Sequence, residues 1–162
     1  GTAYHAFLEL CDFNKRDAAA ISEEIESFVK SGKMTPDTAA LLSADELGEI
    51  LNMPVFGKLK GATLLREQEF LCNLPAGDVL PDTTSSDGVL VQGAIDLLAL
   101  QKDKAVIIDY KYSKKDDTRL IETYSPQLAL YKKAVAVITG RKEKDISCVI
   151  VNIYRRRQID LD

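Results

Sequence analysis

Asp96, Asp109 and Lys111 are the residues whose types and spacing suit chemistry. They lie in two apolar runs, residues 91–100 and 105–112, flanking the polar turn Gln101-Lys102-Asp103-Lys104, which is the pattern of a β-hairpin with a short loop. Each run carries an acid where a strand is otherwise apolar. Side chains alternate along a strand, so Asp109 and Lys111 point to the same face. A charge beside a core is costly unless it is paired or holds a metal. Two carboxylates from adjacent strands with an ammonium beside them suit metal-assisted hydrolysis of a phosphodiester. The acids hold Mg²⁺, which polarises the phosphate and generates hydroxide from water, while the lysine positions that water or stabilises developing charge. The plainer alternative is an inter-strand salt bridge on a solvated face, because an acid-x-Lys pattern in a strand is a weak signal alone.

The elements that must position these residues read as follows. Thr2 caps a first helix in which Tyr4, Phe7, Leu8 and Cys11 keep helical spacing. His5, the one histidine, lies in it, either as a surface or satisfied core residue or as a metal ligand through a neutral ring nitrogen. Asn14 caps a helix over residues 15–30, with Ala18, Ile21, Ile25, Phe28 and Val29 as its stripe and Ser31-Gly32 as its stop. Thr35-Pro36 opens a short helix, and Ser43-Ala44-Asp45-Glu46 is a capping box for another that ends near Asn52. A strand over residues 62–72 places Leu65, Glu67 and Glu69 on one face and Arg66, Gln68 and Phe70 on the other. Glu67 or Glu69 contributes to an acidic site, or both belong to a solvated strand face. Residues 75–88 read as a polar loop and residues 113–117 as a charged one. Ser125 and Pro126 start a helix that Gly140 stops, with Leu128, Leu130, Tyr131, Ala134, Val135 and Ile138 as its apolar face. Gln127 and Tyr131, four apart, share one side of it; the alternative is a core Tyr131 and a surface Gln127. Residues 146–154 and 158–161 are β-rich. This order predicts an α/β domain with a central mixed sheet flanked by helices.

With 162 residues the chain is long enough for one domain with a real core. Its 46% hydrophobic and 28% charged content is that of an ordinary globular protein, and it has no apolar run long enough for a membrane helix. Gly1 reads as a cut point rather than a natural start. Cys11, Cys72 and Cys148 are far apart, lie in apolar segments and form no metal-binding motif, which predicts buried thiols in a reducing compartment. A net charge of -4 argues against a strongly basic nucleic-acid binder, yet local basic clusters exist at Lys111, Lys114 and Lys115 and at Arg155, Arg156 and Arg157. A metal-holding site must itself be acidic. Weak, salt-sensitive DNA affinity is the expectation.

Five segments, Gly1-Thr2-Ala3-Tyr4-His5, Arg66-Glu67, Gly93-Ala94-Ile95-Asp96, Asp109-Tyr110-Lys111 and Gln127-Leu128-Ala129-Leu130-Tyr131, together resemble the RecB-like branch of the PD-(D/E)xK nucleases. The set is most similar to the C-terminal nuclease domain of AddA-type helicase–nuclease subunits. The resemblance implies a restriction-endonuclease-like fold over residues 1–162, with a mostly helical part at 1–60 and the sheet core with its active site at 61–162. It implies Asp96 and Asp109 as metal ligands, joined by His5 and the Tyr110 backbone carbonyl, and Lys111 as the catalytic lysine. It implies that Glu67 supports the site from the preceding strand and that Gln127 and Tyr131 line it. The implied cofactor is Mg²⁺, with Mn²⁺ as a substitute. The implied activity is cleavage of DNA, mainly single-stranded, in double-strand-break repair in the bacterial cytoplasm. The implied partners are a helicase portion and a second, AddB-like subunit, with no membrane. The chain carries no Gly-x-x-x-x-Gly-Lys-Ser/Thr loop and no four-cysteine iron–sulfur staple, so it reads as a fragment or stand-alone relative that does not itself use ATP. The competing reading is a non-catalytic DNA-binding or docking module that keeps the nuclease fold.

Overall fold

The computed structural model describes residues 2–80, 83, 85 and 87–161. Gly1 and parts of the 75–88 loop, namely Pro81, Asp82, Thr84 and Ser86, lie outside the described residues, as does Asp162. The chain divides into two compact units.

The first unit comprises Gly1–Lys60, Tyr110–Lys114 and Val151–Gln158. Its helices are α1 (Thr2–Leu10), α2 (Ala18–Lys30), α3 (Pro36–Ala40), α4 (Ala44–Leu51) and α5 (Pro54–Gly57). Thr2 is the first helical residue of α1 rather than its cap. Local capping chemistry sets the other starts. Thr35 and Ser43 accept from the backbone N–H three residues on, as their sequence predicts. The helix expected to begin after Asn14 begins instead after Asp17, whose carboxylate accepts from Ala20 N at 2.8 Å. Asn14 lies in a turn before the helix, where its backbone N–H donates to Asp12 Oδ1. Phe7, Leu8, Ile21, Leu47, Ile50, Leu51 and Phe56 are fully buried, each contributing roughly 1.5–3 kcal/mol. Tyr110 stacks on Phe56 with ring centres 6.4 Å apart.

The second unit comprises Gly61–Asp109, Lys115–Ile150 and Ile159–Asp162. It holds β1 (Thr63–Pro75), the single-turn α6 (Ala76–Val79), β2 (Gly88–Leu100), most of β3 (Ala105–Lys111), α7 (Asp117–Thr139), a 3-10 turn at Glu143–Asp145, most of β4 (Ile146–Asn152) and the end of β5 (Arg157–Leu161). The five strands form one mixed sheet in the order β1-β2-β3-β4-β5, so the fold is α/β of the restriction-endonuclease-like kind. β1 and β2 pair antiparallel from Thr63–Leu100 to Pro75–Gly88, and β2 and β3 from Leu100–Ala105 to Leu97–Ile108. Leu120, Leu128 and Val135 of α7 close a core over Ile95, Leu98, Ile107, Ile146 and Ile150.

Three expectations change here. α7 starts at Asp117, eight residues before Ser125, because Asp116 caps it by accepting from Arg119 N at 2.9 Å and Leu120 is fully buried. Pro126 therefore sits inside the helix, where it removes one backbone donor. Ile138, assigned to the apolar face, is 54% exposed. Finally, Leu65 and Phe70 pack on the same core, although strict alternation sends them to opposite faces. Ile95 and Leu98 of β2 do likewise. Between Leu65 and Phe70 lies Glu67 with a backbone φ of 48°, in the left-handed region. A residue there interrupts the regular pleat, so positions on its two sides no longer follow one alternation.

Candidate active site

The hairpin register brings three acids into one row. The pairs Arg66–Leu97 and Gln68–Ile95 set Glu67 of β1 opposite Asp96 of β2. The β2–β3 register, carried one residue past Leu97–Ile108, sets Asp96 opposite Asp109 of β3. Asp96 and Asp109 are half-buried and Glu67 is exposed. One oxygen of Asp109, Oδ2, is cut off from solvent, an environment in which a carboxylate needs a compensating charge or donor. By position, Glu67 rather than Glu69 occupies the row.

α7 adds an amide and a phenol to this unit. Gln127 Nε2 donates to Tyr131 Oη at 3.3 Å, the contact that four-residue helical spacing predicts. Tyr131 is half-buried and meets Phe70 of β1 edge-on, with ring centres 5.0 Å apart. Its hydroxyl lies over Gly93, where an added Cβ would come within 2.7 Å of Oη and 2.9 Å of Phe70. The glycine thus lets the helix phenol approach the β2 backbone. Spacing put Gln127 and Tyr131 on one side of the helix and the family resemblance gave them a site role, while the contact with Gly93 and Phe70 was not foreseen. An open cleft of about 550 Å³ lined by Glu69, Phe70, Gln92, Gly93 and Ala94 lies along the same hairpin.

In the first unit, His5 of α1 lies 2.9 Å, through Nε2, from the backbone carbonyl of Tyr110, and the two rings meet edge-on at 5.8 Å. A carbonyl has no proton to give, so the imidazole donates. Coordination of a cation through that nitrogen requires the Nε2 proton to leave first. Lys111 follows Tyr110 on β3, two residues past Asp109, and is half-buried.

Within the second unit, carboxylates such as those of Asp96 and Asp109 are oxygen donors of the kind a hard divalent cation takes. Among the described residues, no three His, Cys, Asp or Glu side chains already converge as a closed cage. Cys11, Cys72 and Cys148 are buried free thiols, as expected, and take no part.

Comparison with known proteins bears on this arrangement. The profile of the PD-(D/E)XK nuclease superfamily matches residues 1–161. The chain is similar to an ATP-dependent helicase/nuclease subunit of the AddA type from Carboxydothermus hydrogenoformans, at 30% identity over 98% of this chain and 14% of that protein. It is similar to the protein of the same description from Pelotomaculum thermopropionicum, at 33% identity over 90% of this chain and 12% of that one. The chain therefore spans about one eighth of the length of the curated relatives it matches. A solved structure described as "Crystal structure of SSO0001" aligns over 90% of this chain and 61% of its own, with 15% identity and a TM-score of 0.33, too loose a match to carry an argument.

Proposed function

The chain belongs to the PD-(D/E)XK nuclease superfamily, and from that premise we propose that residues 1–162 form one Mg²⁺-dependent deoxyribonuclease domain. In this reading it cleaves mainly single-stranded DNA as the nuclease part of a cytoplasmic helicase–nuclease subunit, in double-strand-break repair beside an AddB-like partner. Mn²⁺ substitutes for Mg²⁺.

What supports the reading is the placement of Glu67, Asp96 and Asp109 on the successive strands β1, β2 and β3, next to the paired positions Arg66–Leu97 and Leu97–Ile108, with Lys111 two residues past Asp109. Carboxylates on neighbouring strands are the oxygen ligands that a hard divalent cation takes. Asp96, Asp109, the Tyr110 carbonyl and His5 would hold the ion. When bound, a divalent ion supplies Lewis-acid polarisation of the phosphate and a lowered pKa for attached water. Lys111 brings an ammonium to orient the attacking water and to stabilise negative charge that grows on the phosphoryl oxygens. Glu67 supports the site from β1 by accepting hydrogen bonds from water. Gln127 and Tyr131, already joined to each other, present an amide and a hydroxyl that hold the DNA backbone near the scissile phosphate.

The test is incubation of the chain with single-stranded DNA and Mg²⁺ or Mn²⁺, beside Lys111→Ala and an EDTA control. The expected result is cleavage by the parent that both controls abolish. Equal cleavage by Lys111→Ala, or cleavage that survives EDTA, overturns the assignment. DNA binding without cleavage under any divalent metal would select the docking-module reading instead.

A further inference from the structure

Beyond the acidic row, the first unit carries a second cluster whose chemistry suits a nucleic acid. Tyr112 and Tyr154 are 48% and 40% exposed, large aromatic surfaces that a solvent-facing position does not require. Their rings meet edge-to-face with centres 5.4 Å apart. The Lys114 ammonium stands 5.7 Å from the centre of the Tyr154 ring. The buried Tyr4 ring backs Tyr112 at 6.0 Å.

Several contacts hold this surface in place. Asn152 is fully buried, and its amide clamps the Ser113 backbone at both ends, donating to the carbonyl at 3.0 Å and accepting from the N–H at 3.3 Å. Arg155 points both arms of its guanidinium at the Lys114 carbonyl, at 3.1 and 2.6 Å. Such bonds fix the group without neutralising its charge. Arg156 adopts a left-handed φ of 51° in the turn that presents Tyr154, and its guanidinium is pinned by Glu46 and Glu49 of α4. A non-glycine residue held there costs about 1 kcal/mol or more and persists only where its surroundings over-determine it.

We propose that Tyr112 and Tyr154, flanked by the cations Lys114 and Arg155, form a stacking platform for the bases of a single-stranded DNA. This deepens, and rests on, the nuclease reading above, since it names a subsite for the strand beside the segment that carries Lys111. Bases offer a π-face whatever their identity, and aromatic side chains with basic neighbours bind single strands with little sequence preference. Duplex DNA keeps its bases stacked inside and cannot use such a surface.

The test compares the binding of a fluorescent oligo-dT and an abasic oligomer of equal length and charge, in EDTA so that nothing is cut. The parent is expected to favour oligo-dT over the abasic probe by about tenfold, the scale of one stacked base. Tyr112→Ala/Tyr154→Ala should lose that preference, and Tyr112→Phe/Tyr154→Phe should keep it. Lys114→Ala/Arg155→Ala should weaken both probes alike and flatten the salt dependence. Equal affinity of the parent for the two probes overturns the platform, whether or not the parent cleaves DNA with Mg²⁺. Cleavage that Lys111→Ala abolishes would leave the nuclease reading standing in that case, whereas absence of both base preference and cleavage defeats both readings.

Discussion

Glu67 and Arg156 both hold a left-handed backbone that L-residues avoid, but they do so in different company. Glu67 stands in the middle of a 13-residue strand and belongs to the row of three acids. Arg156 stands in the turn before β5 and is tied by ion pairs to Glu46 and Glu49. Neither position was filled with glycine, the residue that accepts this conformation without strain. At Arg156 the side chain explains why, because a glycine would surrender the pins that hold the Tyr154 turn. At Glu67 the proposed function offers the reason, since a glycine there would remove the carboxylate that the nuclease reading assigns to the site. The contrast teaches that one kind of backbone strain fastens a turn in the first unit and, on the proposed function, presents a site carboxylate in the second.

The strongest way to break this contrast is to empty the row. Asp96→Ala or Asp109→Ala should lower metal-dependent cleavage by roughly a thousandfold, while the melting midpoint holds or rises because like charges have been thinned. A large loss of stability with each variant would show that the acids are structural. Next in size is the packing behind the row. Gly93→Ala should cost about 1–3 kcal/mol, read by denaturant unfolding, because the new methyl meets Tyr131 Oη and Phe70 inside contact distance.

The Arg156 side can be probed through Glu46, which also accepts a 2.7 Å hydrogen bond from Tyr4 Oη. Burial, helped by that bond, raises the Tyr4 pKa from 10.0 to about 12. The folded state therefore favours the protonated phenol. The advantage is complete below pH 10.0 and drains away as the pH climbs toward about 12. The parent's lead in stability over Tyr4→Phe should shrink by about 1 kcal/mol between roughly pH 9 and 11. A constant difference across that window would contradict it. The finest comparison is glycine against alanine at the two strained positions. Glu67→Gly should be more stable than Glu67→Ala by about 1 kcal/mol, with equal loss of cleavage in both, since both lack the carboxylate. Arg156→Gly should exceed Arg156→Ala by a similar margin, but both should weaken oligo-dT binding as the Tyr154 turn loosens.

Much of this was legible in the sequence, and the exceptions have physical causes. The hairpin about residues 101–104 follows from two apolar runs and a polar turn, and its pairing runs from Leu100–Ala105 to Leu97–Ile108, next to Asp96 and Asp109. The helix side shared by Gln127 and Tyr131 follows from spacing alone. The early start of α7 was hidden because Ser125-Pro126 imitates a helix opening, whereas the true cap, Asp116, lies in a charged stretch with few apolar markers. The left-handed Glu67 was invisible because no glycine or asparagine announces it, and with it went the change of facing between Leu65 and Phe70. The clamp formed by Asn152 and Ser113 links residues 39 apart, which local patterns cannot show.

The division of the chain also sets an order of assembly. The second unit's acids, from Glu67 to Asp109, and the hairpin that aligns them lie within one local stretch, so the row can form as soon as that stretch is synthesised. The first unit is stitched from three separated pieces, and its last piece, Val151–Gln158, supplies Asn152, Tyr154, Arg155 and Arg156. Until those residues leave the ribosome, the segment that carries Lys111 lacks its clamp, and Tyr112 lacks its ring partner Tyr154. Contacts so distant in sequence are slow to close. A growing chain would thus complete the stretch from Glu67 to Asp109 before the residues that clamp the Lys111 segment and carry Tyr154 have been made.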